Sequence, residues 1–346
     1  MKLRPTLKKI IKIVLVIAFY IGLYLLTKDH FEQFGELTTD NIQVRWLPLV
    51  LALLLVAPNW LLEAVKWRIS LSPVEKVSFG VSFVGVLKGI TPSLFTPNRV
   101  GEALGRPSVL QHGHRFSGGM ATAYCGLSQM PVMMLMGVLA CVYFAWCDIE
   151  ISHSTFLTSW WFILIGFVCT ALMTAFYMFP KYTIPFVRNS EKSGGIRRKL
   201  NFFCHYTYNE RFKLMLFSLV RFMVYSLQNY LTIVGLGIEI GFVDGMMSVF
   251  LIYALMSFVP RPALAELGVR CSASVMVLKE YTSDFRLPTI SSIILWSINL
   301  LLPAVCGGVF YLIRKKERGE NPVPEKNDEK DLEKVDEKFG SVENVS

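Results

Sequence analysis

The chain has 346 residues, of which 53% are hydrophobic and only 18% charged, with a formal net charge of +9. Soluble domains carry about a quarter charged residues, so this composition argues against an ordinary soluble enzyme and for a membrane protein. The basic residues lie between apolar runs and form no continuous stripe, which fits a layer of anionic lipid headgroups better than a nucleic acid.

A hydrocarbon core about 30 Å thick takes about 20 apolar residues of helix to cross. Residues 10–27 form the first such run, with Lys8, Lys9 and Lys12 at its start. This resembles a signal peptide, but no small-x-small cleavage site follows, so the expectation is a retained first helix. Residues 46–62 form the second run, helical to about Arg68. Residues 117–146, 159–179, 212–236 and 289–313 are the third to sixth.

Two apolar stretches depart from this pattern. Residues 79–111 contain Thr91-Pro-Ser-Leu-Phe-Thr-Pro97, and residues 245–281 contain Pro260-Arg-Pro262. Each divides into two arms of about 15 residues, short for a full crossing. Proline removes a backbone donor and pushes the residue before it out of the helical region. Non-helical backbone at membrane depth persists only when packed in protein or lining a wet cavity. The expected fold is therefore an all-α polytopic membrane protein: six full transmembrane helices plus two proline-broken re-entrant helical hairpins, or about ten crossings if every arm spans.

Charge gives the orientation. With the N-terminus inside, the outer loops 28–45, 147–158, 237–243 and 282–288 carry Lys28, Arg45 and Arg286 as their basic residues. The inner segments carry Lys2, Arg4, Lys8, Lys9, Lys66, Arg68, Lys76 and Arg115, then Lys181, Arg188, Lys192, Arg197, Arg198, Lys199, Arg211 and Lys213. That bias predicts cytoplasmic N- and C-termini. The first hairpin then enters from inside and the second from outside. Residues 1–313 read as the membrane domain. Residues 314–346 are rich in Lys, Glu and Asp, too polar to bury a core, and read as a disordered, solvated cytoplasmic tail open to a partner.

Ionised side chains inside a bilayer cost at least about 2.5 kcal/mol each and mark functional positions. In the first hairpin Thr96 suits an N-cap and Pro97 a first helical position. From there Arg99, Glu102 and Arg106 share one face, with Glu102 able to pair with either arginine. Pro107 places Arg106 where the helix bends. The surplus positive charge suits an anion such as phosphate. The alternative is an internal salt bridge that pins the hairpin. In the second hairpin Glu266 and Arg270 repeat the i, i+4 spacing of Glu102 and Arg106, and both pairs enclose a Leu-Gly step. Two broken segments at corresponding positions point to a midplane transport site and a weak inverted repeat. Pro92, Pro97 and Gly101 shape the first hairpin, and Pro260, Pro262 and Gly268 the second.

Arg221 lies about ten residues into the fifth crossing, with Tyr225 and Gln228 on the same stripe. It either faces the bundle interior or snorkels to the inner headgroups. Asn59, Glu63 and Lys66 share a face of the second crossing, and Glu63 reads as solvated near the inner interface. Of the 7 cysteines, Cys125, Cys141, Cys169 and Cys306 fall in apolar segments and read as small buried hydrophobes. His112 and His114 are two apart, on different helix faces, and no His/Asp/Glu set has metal-ligand spacing. No P-loop, GxSxG or dinucleotide-binding fingerprint is present, so neither an ATP-driven pump nor a cofactor is expected.

Three segments resemble the membrane region of the lysylphosphatidylglycerol synthase family, described as flippase-like integral membrane proteins. Ala64-Val-Lys-Trp-Arg68 is similar to that family's hydrophobic-Arg-Trp-Arg segment. Thr91-Pro…Pro97-Asn-Arg-Val-Gly-Glu102…Arg106 is similar to its Pro…Gly-Glu…Arg signature. Val259-Pro-Arg-Pro…Leu267-Gly-Val-Arg270 is similar to its later Gly-Val-Arg signature. The likeness covers roughly residues 10–313. The chain departs from it where the family usually has Gly at Glu266 and Glu at Cys271. It departs again at Gly126-Leu-Ser-Gln-Met-Pro131, which lacks a Glu-Arg pair common in relatives. The chain has no counterpart of the soluble aminoacyl-transfer domain, so lysine transfer to phosphatidylglycerol is not expected.

The resemblance implies a lipid-handling role in a bacterial cytoplasmic membrane. The resulting expectation is a flippase or secondary transporter of an anionic lipid or lipid-linked precursor. Arg99, Arg106, Arg221 and Arg270 would bind the headgroup phosphate, with Glu102 and Glu266 holding the arginines in register. Two other readings stand beside it. One is a membrane-embedded lipid-linked transferase using Glu102 or Glu266 as general base. The other is a non-transporting accessory subunit that recruits a partner through its tail.

Overall fold

The computed structural model describes residues 43–93, 96, 100–111, 114–149, 157–180, 202–258 and 263–307. The first expected crossing, Pro97, Arg99, Pro260, Pro262 and the tail lie outside the described residues.

Helices α1 (Trp46–Leu54) and α2 (Val56–Ser70) run on from one another through Leu55. The break follows from Pro58, which has no N–H for the carbonyl one turn back. Together they make a 25-residue span. The first hairpin follows as α3 (Phe79–Ser93) and α4 (Val100–Gly105), the latter tightening into a 3-10 turn at Arg106–Val109. Pro107 explains the change of helix type at Arg106. Next come α5 (Arg115–Leu127) and α6 (Gln129–Trp146), joined at Ser128 into a 32-residue span, then α7 (Trp160–Met178).

A 3-10 turn at Phe202–His205 leads into α8 (Tyr208–Gly235), which opens on a capping box between Thr207 and Glu210. Helices α9 (Phe242–Phe258) and α10 (Ala263–Leu278) are the arms of the second broken stretch. Helix α11 (Arg286–Trp296) widens into a π turn at Ser297–Leu301 and continues to Gly307.

Among the described residues, four spans are long and apolar enough to cross a bilayer: Trp46–Ser70, Arg115–Trp146, Trp160–Met178 and Arg286–Gly307. They match the second, third, fourth and sixth expected crossings. The fifth, α8, has 28 residues, about 42 Å of helix. Its interior Arg221, Gln228 and Asn229 keep composition alone from marking it as a span. The lipid-facing character is plainest on α7, where Trp160, Leu164, Ile165, Val168 and Leu172 are all exposed. On a soluble protein so large an apolar face would drive association.

In the first hairpin α3 and α4 run antiparallel and very close. A Cβ on Gly101 would strike the backbone of Pro92, and one on Gly105 would lie 2.7 Å from the Lys88 carbonyl oxygen. Only glycine permits that approach. The expected helix start at Pro97 lies outside the described residues. The Thr96 hydroxyl accepts the Gly101 N–H at 2.7 Å and donates to the Pro92 carbonyl at 3.2 Å, lacing tip to stem. Gly268 plays no such part, since a Cβ there meets nothing within 4 Å.

Two apolar cores flank the polar centre. One gathers Trp60, Trp67, Ile90, Tyr124, Tyr206 and Leu214; the other gathers Phe144, Phe222, Phe250, Tyr253 and Leu295. Two residues expected among the inner basic segments, Lys66 and Arg211, are buried instead, 1% and 6% exposed. Arg211 donates to the carbonyls of Met178, Phe203 and Cys204, joining the end of α7 to the turn before α8.

Candidate functional site

The site starts from one face of α2. Asn59, Glu63 and Lys66 stand at i, i+4 and i+7 and are all buried. A lone buried carboxylate costs several kcal/mol, so Glu63 requires partners. Arg106 Nη2 reaches Glu63 Oε1 at 2.8 Å, Arg221 Nη1 reaches Oε2 at 3.1 Å, and Lys66 Nζ lies 3.6 Å away. Arg106 also pairs with Glu102 on its own arm. Three cations and two carboxylates thus interlock around Glu63, drawn from α2, the first hairpin and α8. Glu63 is therefore the hub of the cluster and is not solvated near the interface. Its burial follows from arginines that arrive from distant parts of the chain.

Arg221 is held on three sides. Its Nη1 donates to Gln129 Oε1 at 2.9 Å and its Nε to Asn59 Oδ1 at 3.0 Å, while Trp60 lies under the guanidinium at 5.9 Å. Arg221 thus faces the bundle interior and does not snorkel. It is the middle of α8, about 20 Å of helix from either end.

The second hairpin forms a second cluster. Arg270 pairs with Glu266 at 3.1 Å, donates to the Tyr253 hydroxyl at 3.1 Å, and lies over the rings of Tyr225 and Tyr253 at 5.8 and 5.4 Å. Asn229 donates to the same hydroxyl at 3.1 Å. The Glu–Arg pair matches that of the first hairpin, but its surroundings are aromatic where the first cluster is ionic.

Helix α8 joins the two. Arg221 enters the first cluster, and Tyr225, one turn on, enters the second. The rise between them is about 6 Å. Of the residues singled out in the sequence, Glu102, Arg106 and Arg221 meet around Glu63, and Glu266 and Arg270 meet beside Tyr225. Arg99 lies outside the described residues. Glu63, Gln129, Tyr253 and Asn299 were not singled out as site residues. The i, i+4, i+7 polar spacing on α2 was the one available signal for Glu63. Among the described residues no group of three or more His, Cys, Asp or Glu side chains is arranged to hold a metal ion.

The family model of the lysylphosphatidylglycerol synthase TM region matches residues 10–308. The chain belongs to this family. Membership agrees with the long apolar spans, and the protein is a multi-pass integral membrane protein of the lysylphosphatidylglycerol synthase TM region family. Neither the curated proteins nor the solved structures give a match.

Proposed function

We propose that this family member is a flippase or secondary transporter for an anionic lipid or lipid-linked precursor. The observation that carries this reading is that α8 links two Glu–Arg pairs, one from each broken stretch: Arg221 shares Glu63 with Arg106, and Tyr225, one turn on, lies under Arg270. Ionised groups held inside a membrane bundle mark substrate or ion pathways. Broken helices at corresponding positions in two halves are the sequence mark of a transporter's midplane site.

The headgroup phosphate docks between Arg106, Arg221 and Arg270; Arg99, expected from the sequence to join them, lies outside the described residues. Arg106 and Arg270 each keep an Nε–H with no hydrogen-bond partner among the described residues. Each is a donor available to a phosphate oxygen, and arginine suits that geometry. Glu102 and Glu266 keep the guanidinium groups in register when the phosphate has left, and can exchange protons as it comes and goes. The two hairpins are re-entrant, the first from the cytoplasmic face and the second from the outer face. The family resemblance favours a bacterial cytoplasmic membrane, and the basic bias of the inner segments supports placing both termini inside.

The test is a headgroup-accessibility assay in vesicles containing a labelled anionic phospholipid. Wild type should move label between leaflets, while Arg106→Lys and Glu102→Gln should slow it. Arg106→Lys keeps the charge but loses the bridge between two carboxylates. Equal rates in all three proteins would remove the phosphate-docking role.

A further inference from the structure

The direction in which Arg221 points is set by a chain of side-chain amides that ends on a different helix. Arg221 Nε donates to Asn59 Oδ1 at 3.0 Å. Asn59 Nδ2 donates to Asn299 Oδ1 at 2.8 Å. Asn299 Nδ2 donates to the Leu295 carbonyl at 3.2 Å. One end of this chain is a guanidinium, which only donates, and the other is a backbone carbonyl, which only accepts. Between those fixed ends each amide has one orientation that makes all three bonds. Turning either amide over sets oxygen against oxygen or N–H against N–H. Asn59 is 1% and Asn299 6% exposed, and an unpaired amide at such a place costs about 1–3 kcal/mol.

The backbone explains why residue 299 is there to be used. It is the central residue of the π turn Ser297–Leu301. Pro303 lies four residues on and has no N–H to return to the Asn299 carbonyl, so the helix opens at this point. π turns of this kind recur at functional sites. The helical turn that follows touches the first hairpin, because the Thr91 hydroxyl donates to the Ala304 carbonyl at 3.0 Å.

We infer that Asn299 is a positioning residue for Arg221: through Asn59 it holds the guanidinium so that Nη1 stays on Glu63 and Gln129. The inference rests on the reading of Arg221 as part of the headgroup site. Substitutions separate its parts. Asn299→Ala removes both bonds of residue 299. Asn299→Asp keeps the size and accepts from Asn59, but cannot donate to Leu295. Asn299→Ser can accept from Asn59 and donate to the carbonyl one turn back, as serine does within helices.

The experiment uses the purified full chain and the emission of Trp60, taken as the spectrum of each protein minus that of its Trp60→Phe counterpart. Trp60 lies against the Arg221 guanidinium, so its emission follows that group whether or not a lipid binds. Asn299→Ala, Asn299→Asp and Asn59→Ala should shift the emission alike. The double variant Asn59→Ala/Asn299→Ala should shift it no further, since both residues act along one path. Asn299→Ser should return it toward wild type. Where Asn299→Ala does not fold, the opposed pair Asp and Ser decides the matter. An unchanged emission in Asn299→Asp, or a double variant equal to the sum of the singles, overturns the inference.

The same proteins are then heated in micelles containing phosphatidylglycerol or phosphatidylcholine. Wild type should gain stability with the anionic lipid, and Asn299→Ala and Asn59→Ala should lose that gain to the same extent. No gain in wild type would instead count against the transport reading and leave the emission result to judge Asn299.

Discussion

Arg106 Nη2 lies 2.8 Å from Glu63 Oε1 and is bonded at the same time to Glu102, so one guanidinium ties the first hairpin to α2. Removing one member of such a buried set leaves the others uncompensated. Glu63→Gln should therefore destabilise by about 3–5 kcal/mol. Glu102 has the more exposed side chain, 15% against 6%, and its loss leaves the Arg106–Glu63 pair intact. Thermal unfolding in detergent should place Glu102→Gln much closer to wild type than Glu63→Gln. The reverse order would mean that Glu63 is not the hub.

The Tyr253 hydroxyl accepts from both Arg270 and Asn229. Tyr253→Phe keeps the ring under Arg270 but strands two buried donors. A loss of about 1–3 kcal/mol is expected. Because Glu266 still pairs with Arg270, the protein should fold. Denaturation monitored by tryptophan emission measures this, and a neutral substitution would show that water enters the second cluster freely.

Close packing makes a prediction about the Leu-Gly step that each hairpin contains. Gly105 leaves no room for a Cβ, while Gly268 faces open space. Gly105→Ala should cost at least about 1–3 kcal/mol by overpacking and should slow any transport, whereas Gly268→Ala should be tolerated. Expression level and melting temperature of the two variants, compared side by side, test the antiparallel packing of α3 on α4.

Cys147 follows the last residue of α6 and is exposed. With the proposed orientation it faces outward. A membrane-impermeant maleimide should label a variant with Cys147 as its sole cysteine in intact cells. Labelling only after the cells are opened would invert the topology.

The local parts of this site were legible in the sequence, and the tertiary parts were not. Glu102–Arg106 and Glu266–Arg270 are pairs one helical turn apart, so their spacing alone predicts contact. Pro107 marked Arg106 as a place where the α-helix alters, and the structure has a 3-10 turn beginning there. Arg221 could be seen as a polar interruption of an apolar helix, but its partners Glu63, Asn59 and Gln129 lie on other helices, and no local pattern names them. Glu63 reads as solvated because it lies in the last third of the Trp46–Ser70 span, yet burial depends on what packs beside a residue. Asn299 gave no signal, since its role needs the π turn. The repeat was half legible: the paired spacing recurs, while the aromatic setting of Arg270 comes from α8 and α9.

The most direct measurement of the central claim, that two clusters joined by α8 carry one anionic headgroup, is the rate of leaflet exchange of a labelled anionic phospholipid in reconstituted vesicles for Arg106→Lys, Arg270→Lys and the double variant. Both singles should slow exchange well below wild type while still folding, and the double should be little slower than the worse single. Exchange at the wild-type rate in both singles, or no exchange by the wild type itself, would contradict it.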